Sequence, residues 1–531
     1  MGTRGNRDRR SDRRRARGGA GAALGYLERE AVFVRRGHNG TESLEGGGLV
    51  GAAFRHRSSR AGDPQLHTHV VVANATQGSD GRWSALDARH LYAHARTAGF
   101  LYQADLRAAL SARFGVPWGP VVKDTAELEA VPPAALREFS RRRAEIEAAT
   151  GPGASANAAR RVTVRTRRAK ERSVELATLF VDWASRADAL GFGRADVEAR
   201  CRPARQTHDP ARASAHASAR ELSAELTEHD SSFDRRQVLQ ALAARAETGE
   251  RVETLEAHAD GFLAGRAVVP LGVGRFGLRY TTPELLTIEE DLLSRVLARR
   301  DERAGIVDDV YATLCEHPTF SDEQARMVRA ITTDGGGVSV VIGAAGSGKT
   351  FALAAGHTAW SREGYSVIGC ALAARAARQL QTDSGIPSAT LDALLCDLDR
   401  PDTPGLGRRT VIVADEAAMI GTRKLARLLD HAHRAGAKIV LVGDPHQLPE
   451  IDAGGAFVGL AERLGAVQLV ANRRQRDPVE RRALLDLRNG AIDDVIDRPA
   501  ARVRALALVG PELGAGARVD GSRLVRVNRA R

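Results

Sequence analysis

Residues 338–350, VSVVIGAAGSGKT, run from an apolar, β-branched stretch into a glycine-rich loop that ends in lysine and threonine. A short buried strand followed by G-x-x-x-x-G-K-T is typical of a phosphate-binding loop between a parallel strand and a helix. The glycines let backbone N–H groups close around phosphates, and the positive end of the following helix favours an anion. The stretch therefore predicts an α/β nucleotide-binding fold. The predicted loop residues are Gly343, Ala344, Ala345, Gly346, Ser347, Gly348, Lys349 and Thr350.

Three further apolar stretches, YSVIGC, TVIVAD and KIVLVGD, each precede a helical pattern, as expected for a buried parallel sheet. Lys349 should reach the β- and γ-phosphates, and Thr350 should hold Mg²⁺. Asp415 and Glu416 follow the second stretch, where Asp415 is placed to bind Mg²⁺ through water and Glu416 to activate the attacking water. Gln447 follows the third stretch and is placed to sense the γ-phosphate.

The order of FSDEQ, GAAGSGKT, VADEAAM, VGDPHQLPEI and NRRQ across residues 319–490 resembles the Q motif and motifs I to IV of superfamily 1B DNA helicases, the RecD-like branch. The resemblance implies ATP with Mg²⁺ as cofactor, and Asp415 and Glu416 as the hydrolytic pair. It places Gln324 on the adenine and has Gln447 couple the nucleotide state to DNA. It also implies that Arg474, rather than the neighbouring Arg473, stabilises γ-phosphate charge from a second RecA-like domain.

Nearer the start of the chain, His67 and His69 alternate in DPQLHTHVVVAN, and His56 lies in the preceding strand-like stretch. Strand side chains alternate between faces, so His67 and His69 share one face, and His56 joins them if the strands pair as a hairpin. Three converging imidazoles predict a divalent-metal site. Ligand preference alone favours Zn²⁺, Mn²⁺ or Ni²⁺ over Mg²⁺. The alternative is a solvated polar face of a strand.

The stretch FRHRSSRAGDPQLHTHVVVAN, followed by DGRWSALDARHLYAHARTAGFLYQADLRAAL, resembles the metal-binding core of MobF-type conjugative relaxases, including the H-x10-H-x-H spacing. The resemblance implies that the three histidines hold Mg²⁺, Mn²⁺ or Zn²⁺, which polarises a scissile phosphate. A tyrosine then attacks and leaves a 5′-phosphotyrosyl strand. The implied partners are single-stranded and duplex DNA at a transfer origin, relaxosome accessory proteins and a type IV secretion coupling protein.

Only Tyr26 precedes His56 among the tyrosines, and its helix-like surroundings favour a packing aromatic over a nucleophile. Nothing in residues 491–531 resembles the later helicase motifs. We therefore expect a chain truncated at both ends, which retains metal and ATP binding but lacks the tyrosine nucleophile and the late helicase motifs.

The formal charge of +12 favours a polyanionic partner, nucleic acid first and a membrane surface second, although a GC-rich genome also encodes arginine freely. The sequence contains no apolar run of about 18 residues, so no membrane insertion is expected. Four cysteines without paired spacing fit the reducing cytoplasm of a bacterium.

The expected fold class is multidomain, α/β and α+β, with a partial relaxase antiparallel sheet and helices before a RecA-like parallel α/β ATPase domain. Residues 26–37, YLEREAVFVRRG, predict a helix that ends at Gly37, and residues 90–115 predict a helix closed by Gly115. A short hairpin is expected around RFGLRYTTPE. The predicted segments are a disordered stretch (1–22), relaxase (23–200), linker (201–220), helical accessory domain of the helicase (221–305), ATPase domain 1A (306–460), start of a second RecA-like domain (461–490) and a basic tail (491–531).

Two other functions fit parts of this pattern. The chain could be a non-catalytic DNA-binding remnant that still holds metal and nucleotide, or a stand-alone superfamily 1B motor. The histidine triad discriminates against the pure motor, which has no use for it.

Overall fold

The computed structural model describes residues 19–129, 131–151, 162–163, 166, 175–200, 218–344, 346–402, 405–447, 452–473, 475 and 477–488. Several parts of the sequence-based prediction lie outside these residues. They are most of the predicted disordered stretch, most of the predicted linker, the basic tail, Ala345 and Arg474. The chain divides into two compact units, the first from Met1–Leu226 with Ser232–Thr281, the second from Thr227–Ser231 with Thr282–Arg531. No described helix is both long enough and apolar enough to cross a bilayer.

The first unit combines helices with small antiparallel sheets. Its described helices are α1 (Gly19–Glu30), α2 (Ala88–Phe114), α3 (Pro133–Glu138), α4 (Arg141–Thr150), α5 (Leu176–Ala189), α6 (Arg194–Arg200), α7 (Ala219–Leu226), α8 (Arg235–Arg245) and α9 (Val252–Leu263). Its described strands are β1 (Phe33–Arg36), β2 (Glu42–Glu45), β3 (Gly51–Ser58), β4 (Pro64–Val72), β5 (Thr76–Gln77), β6 (Trp83–Ser84), β7 (Phe233–Asp234), β8 (Val269–Gly274) and β9 (Gly277–Thr281).

The helix predicted up to Gly37 is wrong in its second half, because α1 ends at Glu30 and β1 pairs antiparallel with β2. Within β1, Val34 is buried between the half-buried Phe33 and the exposed Arg35, and such β-branched and aromatic side chains favour a pleated, half-buried surface once β2 supplies the partner strand.

The structure confirms three further predictions, which concern two hairpins and one helix. β3 and β4 pair as an antiparallel hairpin. α2 begins at an Asp87 cap and ends at Gly115, whose left-handed φ of 60° lets its N–H reach the Ser111 carbonyl. The hairpin expected around RFGLRYTTPE is β8 with β9.

One hydrophobic core joins α1 and α2 to the segment from Ala219 to Thr281. Its buried residues include Tyr26 and Leu101 from the first two helices, and Leu239 and Leu255 from α8 and α9. The segments 219–226 and 232–281, together called the coupled lobe, thus pack as an integral part of the first unit.

The second unit is an α/β layer structure. Its described helices are α10 (Pro283–Ala298), α11 (Val310–Cys315), α12 (Asp322–Thr333), α13 (Lys349–Arg362), α14 (Ala374–Ser384), α15 (Leu391–Leu398), α16 (Thr422–Ala435), α17 (Ala456–Leu464) and α18 (Pro478–Arg488). Its described strands are β10 (Val338–Gly343), β11 (Ser366–Ala371), β12 (Ser388–Thr390), β13 (Thr410–Ala414), β14 (Lys438–Gly443) and β15 (Val467–Leu469).

The six strands form one parallel sheet in the order β12-β11-β13-β14-β10-β15, which confirms the predicted parallel α/β fold. Alternate residues feed two cores: Ile412 and Leu441 pack into one, and Val413 and Val440 into the other. Both faces are covered by helices, which explains why the strands are apolar throughout.

The contacts group two predicted segments differently from the sequence-based boundaries. Within the predicted accessory domain, residues 221–226 and 232–281 belong to the first unit, whereas residues 227–231 and 282–305 belong to the second. Residues 467–469 form the edge strand beside β10. The functional boundaries themselves stay predictions.

Candidate metal centre and nucleotide site

The β3–β4 hairpin brings the three predicted histidines together. His56 pairs directly with His67, and Phe54 pairs with His69, so antiparallel register puts all three imidazoles on one face. Their ring centroids lie 5.2 Å apart for His56–His67, 4.7 Å for His56–His69 and 5.0 Å for His67–His69. One ring nitrogen from each lies within 4.8 Å of the others.

The contact of His67 with the backbone defines its tautomer. Its Nδ1 lies 2.9 Å from the carbonyl oxygen of Gln65. A carbonyl oxygen can only accept, so Nδ1 carries the proton and Nε2 keeps its lone pair. Metal-binding histidines are commonly oriented by such a second contact.

The donor set fits a divalent cation. Metal–nitrogen bonds are about 2.0–2.1 Å, so modest rotations of the half-buried His56 and His67 and the exposed His69 would bring three nitrogens onto one ion. Three neutral imidazoles suit zinc and other borderline transition metals. Bound there, the cation would supply Lewis acidity toward a phosphate oxygen.

Tyr26 is a packing residue, as predicted. It is 1% exposed within the core of the first unit, and its hydroxyl hydrogen-bonds Nδ1 of His94 at 2.8 Å. Burial raises the pKa of Tyr26 and lowers the pKa of His94 to about 4. A buried phenol with a raised pKa is poorly suited to attack a phosphodiester.

In the second unit, the phosphate loop joins β10 to α13. Gly346 and Gly348 adopt left-handed φ values of 80° and 83°, which a glycine accommodates without strain. A side chain at Gly348 would also meet Nε2 of Gln324 at 2.3 Å. Lys349, the first residue of α13, donates from Nζ to the Gly343 carbonyl at 2.7 Å.

Two hydroxyl residues complete the described loop. Ser347 is 2% exposed, and its Oγ has no hydrogen-bond partner among the described residues. A buried donor of this kind suits a phosphate oxygen, because an unsatisfied buried hydroxyl is costly. Thr350 follows Lys349 in the first turn of α13.

Asp415 and Glu416 follow directly on β13. The Asp415 N–H donates to the Cys370 carbonyl at 2.8 Å, and the Glu416 N–H donates to Oδ1 of Asp415 at 2.9 Å. Burial raises the pKa of Asp415, and burial, followed by the neighbouring Asp415 charge, raises the pKa of Glu416. Glu416 has a left-handed φ of 52°, a strained conformation for a residue with a side chain.

Gln447 lies beside Asp444, which the sequence reasoning did not single out. Nε2 of Gln447 donates to Oδ2 of Asp444 at 3.4 Å, and its backbone N–H donates to the Asp444 carbonyl at 3.1 Å. Asp444 follows β14 and is buried. The negative charge of Asp444 contributes to the raised pKa of Glu416, so the residues that follow β13 and β14 interact electrostatically.

The side chain of Gln324 forms hydrogen bonds with three other residues of the second unit. It is 3% exposed, and its Oε1 accepts from the Ser321 N–H at 3.0 Å in a capping box at the start of α12. Its Nε2 donates to the Gly348 carbonyl at 3.3 Å, and Nη1 of Arg473 donates to its Oε1 at 3.1 Å. Arg473, ranked second in the sequence reasoning, therefore lies at the phosphate loop. The adjacent Glu323 was missed; its Oε2 accepts from the N–H groups of Val470 and Ala471.

Two known protein families match this chain, and each match includes one of the two candidate sites. Residues 5–190 match the TrwC relaxase family, and residues 319–505 match the AAA domain family. The chain carries a TrwC relaxase domain followed by an AAA domain of the RecD-like helicase type. Both are enzyme families; the three clustered histidines lie in the segment that matches the relaxase family, and the predicted phosphate loop lies in the segment that matches the AAA domain.

The relatives of this chain include conjugal transfer proteins and subunits of the RecBCD enzyme. The probable conjugal transfer protein TraA of Sinorhizobium fredii is 38% identical over 232 residues, which cover 43% of this chain and 21% of the relative. The RecD subunit of the RecBCD enzyme from Mycolicibacterium smegmatis is 33% identical over 208 residues, covering 33% of this chain and 36% of the relative. The chain thus spans about a fifth of the length of the TraA relatives it matches.

Among solved structures, the relaxase domain is similar to the metal-bound conjugative relaxase TrwC in complex with oriT DNA. The two are 31% identical, with 33% of this chain and 63% of the other covered and a TM-score of 0.30.

Proposed function

We propose that this chain acts as part of a conjugative relaxase-helicase that cleaves one DNA strand at a transfer origin and moves along DNA with ATP. The observation that carries the proposal is the convergence of His56, His67 and His69 on one face of a hairpin in a chain that also contains a phosphate loop. The TraA relatives and the TrwC relaxase family match support conjugative transfer as the process.

In the DNA step, the three histidines would hold the cation against a phosphate of single-stranded origin DNA. In such a reaction a tyrosine oxygen attacks the phosphorus, the 3′ oxygen leaves, and the 5′ end stays attached to the tyrosine. Tyr26 is unsuited to this role because it is buried and hydrogen-bonded to His94. We therefore propose that Tyr26 is a structural residue and that this chain binds metal and DNA through the hairpin face.

In the motor step, Lys349 and the loop N–H groups would bind the phosphates of ATP, with Mg²⁺ held by Thr350 and Asp415. Glu416 would orient the attacking water. Gln447 would report the nucleotide state through Asp444, its hydrogen-bond partner at 3.4 Å. Arg473 and Gln324 would close the base end of the site, and Arg474 stays the predicted γ-phosphate contact.

The proposed partners are single-stranded and duplex DNA at the transfer origin, relaxosome accessory proteins and a type IV secretion coupling protein. We propose a bacterial cytoplasmic location. The net charge of +12 supports a polyanionic partner.

The test is cleavage of single-stranded DNA from the transfer origin of the element that encodes the protein, with Mn²⁺ added. We expect Mn²⁺-dependent binding or cleavage that His67→Ala removes and that His38→Ala, a change at an exposed histidine of the same unit, leaves intact. Equal behaviour of His67→Ala and the unaltered protein would contradict the metal role.

A second candidate function, a non-catalytic DNA-binding remnant, is favoured by the burial of Tyr26. The same assay separates the two. Covalent protein–DNA adducts indicate an active relaxase, whereas metal-dependent DNA binding without adducts indicates the remnant.

A further inference from the structure

We propose that Asp63 is a positioning residue for the histidine triad. Its buried carboxylate, held by Arg141 and Arg186, fixes the turn that sets His67 and His69 opposite His56. The inference rests on the proposed metal site and identifies what determines that site's affinity.

Asp63 ends the turn between β3 and β4. The Ser59 N–H donates to the Asp63 carbonyl at 2.8 Å, and the N–H groups of Asp63 and Ala61 donate to the Ser59 hydroxyl at 3.1 Å and 3.2 Å. Gly62 has a left-handed φ of 78°, and its N–H donates to the Ser59 carbonyl. The turn is therefore closed by its own hydrogen bonds, with the Asp63 side chain directed away from them.

The Asp63 carboxylate is fully buried and accepts three hydrogen bonds. The Arg141 N–H donates to Oδ2 at 2.9 Å, Nε of Arg141 donates to Oδ1 at 2.8 Å, and Nη2 of Arg186 donates to Oδ1 at 3.1 Å. A buried carboxylate is tolerated when it is paired and hydrogen-bonded in this way, and removal of one partner is strongly disruptive. The hydrogen bonds and ion pairs with Arg141 and Arg186 therefore fix the position of the turn.

The arginines are themselves fixed by helices. Arg186, in α5, also donates from Nε to Oε1 of Glu138 at 2.8 Å, and its guanidinium lies 4.6 Å from the ring centroid of Phe139. Nε1 of Trp183, also in α5, donates to the Gly62 carbonyl at 2.8 Å. The turn is thus attached to α3, α4 and α5 rather than supported by the hairpin alone.

The turn connects to the triad through a β-bulge. His56 pairs with His67, but the next pair is Ser58 with Pro64, so Gln65 and Leu66 stand opposite the single residue Arg57. Gln65 is also the residue whose carbonyl contacts Nδ1 of His67. Any movement of Asp63 therefore reaches His67 through three residues.

Register makes this connection important for metal binding. A slip of one residue in β4 would turn His67 and His69 to the opposite face and leave His56 without them. The two-stranded sheet has no third described strand to resist such a slip. In the described part of the chain, the Asp63 cluster is the attachment that pins this end of the hairpin.

The experiment measures Mn²⁺ and Cu²⁺ binding to the full chain by electron paramagnetic resonance. We expect Asp63→Asn to raise the Mn²⁺ dissociation constant about 10- to 100-fold, the range found when residues that orient metal ligands are changed. The Cu²⁺ spectrum should change from three coupled nitrogens to fewer. Arg186→Lys, which keeps the charge but loses the forked geometry, should give a smaller change in the same direction.

The matched control is Asp80→Asn, because Asp80 also follows a strand and pairs with an arginine, Arg36, at 2.7 Å. It should leave both metal signals unchanged. A lowered unfolding temperature for Asp63→Asn, with Mn²⁺ affinity and the Cu²⁺ spectrum unchanged in the folded protein, would overturn the inference. If Asp63→Asn does not fold, Arg186→Lys decides by the same two signals. Failure of His67→Ala to weaken Mn²⁺ binding would instead refute the proposed metal site.

Discussion

Nη1 of Arg473 donates to Oε1 of Gln324 at 3.1 Å, which joins the segment after the edge strand to the helix that precedes the phosphate loop. Both residues also contact the loop backbone. The Arg473 N–H donates to the Gly346 carbonyl at 2.9 Å, and Nε2 of Gln324 donates to the Gly348 carbonyl at 3.3 Å. The Gln324 side chain and the Arg473 backbone therefore each hold a carbonyl of the loop, and the Arg473 side chain holds Gln324.

Arg473→Ala should weaken nucleotide binding, because it removes the charged hydrogen bond to Gln324, whose Nε2 in turn donates to the Gly348 carbonyl of the loop. We expect the dissociation constant for a fluorescent ADP analogue to rise about 5- to 20-fold, corresponding to roughly 1–2 kcal/mol. Arg481→Ala, at an exposed arginine in α18, is the control. An unchanged constant for Arg473→Ala would show that the contact is incidental.

Lys349→Ala should reduce ATP affinity more severely. The Lys349 ammonium lies 2.7 Å from the Gly343 carbonyl, within the loop that would surround the phosphates. We expect a loss of at least about tenfold by equilibrium titration, since a charge-assisted contact to phosphate is removed. Lys424→Ala, which removes a partly exposed lysine paired with Asp392, should bind ATP normally. Equal affinity for the two variants would refute the phosphate-loop assignment.

The Tyr26–His94 pair should make the first unit sensitive to mild acid. Burial lowers the pKa of His94 from 6.5 to about 4, so below pH 6.5 the unfolded chain takes up a proton that the folded protein excludes. Stability is therefore full above pH 6.5 and is lost as the pH falls toward 4, by about 1–2 kcal/mol at pH 5. Thermal unfolding from pH 7 to 5 should show a flatter dependence for His94→Gln than for the unaltered protein. His38→Gln should keep the original dependence, and identical curves for all three would contradict the prediction.

Arg107 should be essential to the attachment of the coupled lobe. It is 1% exposed in α2 and donates from Nη2 to the carbonyls of Ala243 at 2.9 Å and Ala246 at 3.1 Å. Arg107→Ala leaves both carbonyls without this donor and should cost about 3 kcal/mol in the free energy of unfolding. Urea unfolding measures it, with Arg113→Ala on the exposed face of α2 as control. A cost below that of Arg113→Ala would disprove the role.

The elements best predicted from sequence are those whose signal is local. The phosphate loop follows from glycines, lysine and threonine in a fixed spacing after a β-branched strand. The shared face of His56, His67 and His69 follows from the period of two in strands. The end of α2 at Gly115 is likewise encoded in a few residues, because a glycine accepts the left-handed conformation there.

Features that depend on distant partners were not predictable in the same way. The donors to Asp63 are separated from it by 78 and 123 residues, and no local pattern indicates that they converge. The strand Phe33–Arg36 was assigned to a helix because its partner Glu42–Glu45 supplies the deciding hydrogen bonds. The contact of Arg473 with Gln324 spans 149 residues, and sequence spacing does not indicate it; the assignment of the γ-phosphate contact to Arg474, which came from the family resemblance, stays a prediction.

The coupled lobe has a consequence for how such proteins are recombined. Its helices share one core with Tyr26 and Leu101, although it follows the relaxase family match, which ends at residue 190. An exchange of motors made at residue 200 would expose the apolar side of α2 and remove the donor–acceptor pairs of Arg107. A chimera cut after Thr281, by contrast, keeps that core whole. Modularity in this chain therefore follows the packing of side chains rather than the edge of recognisable sequence similarity.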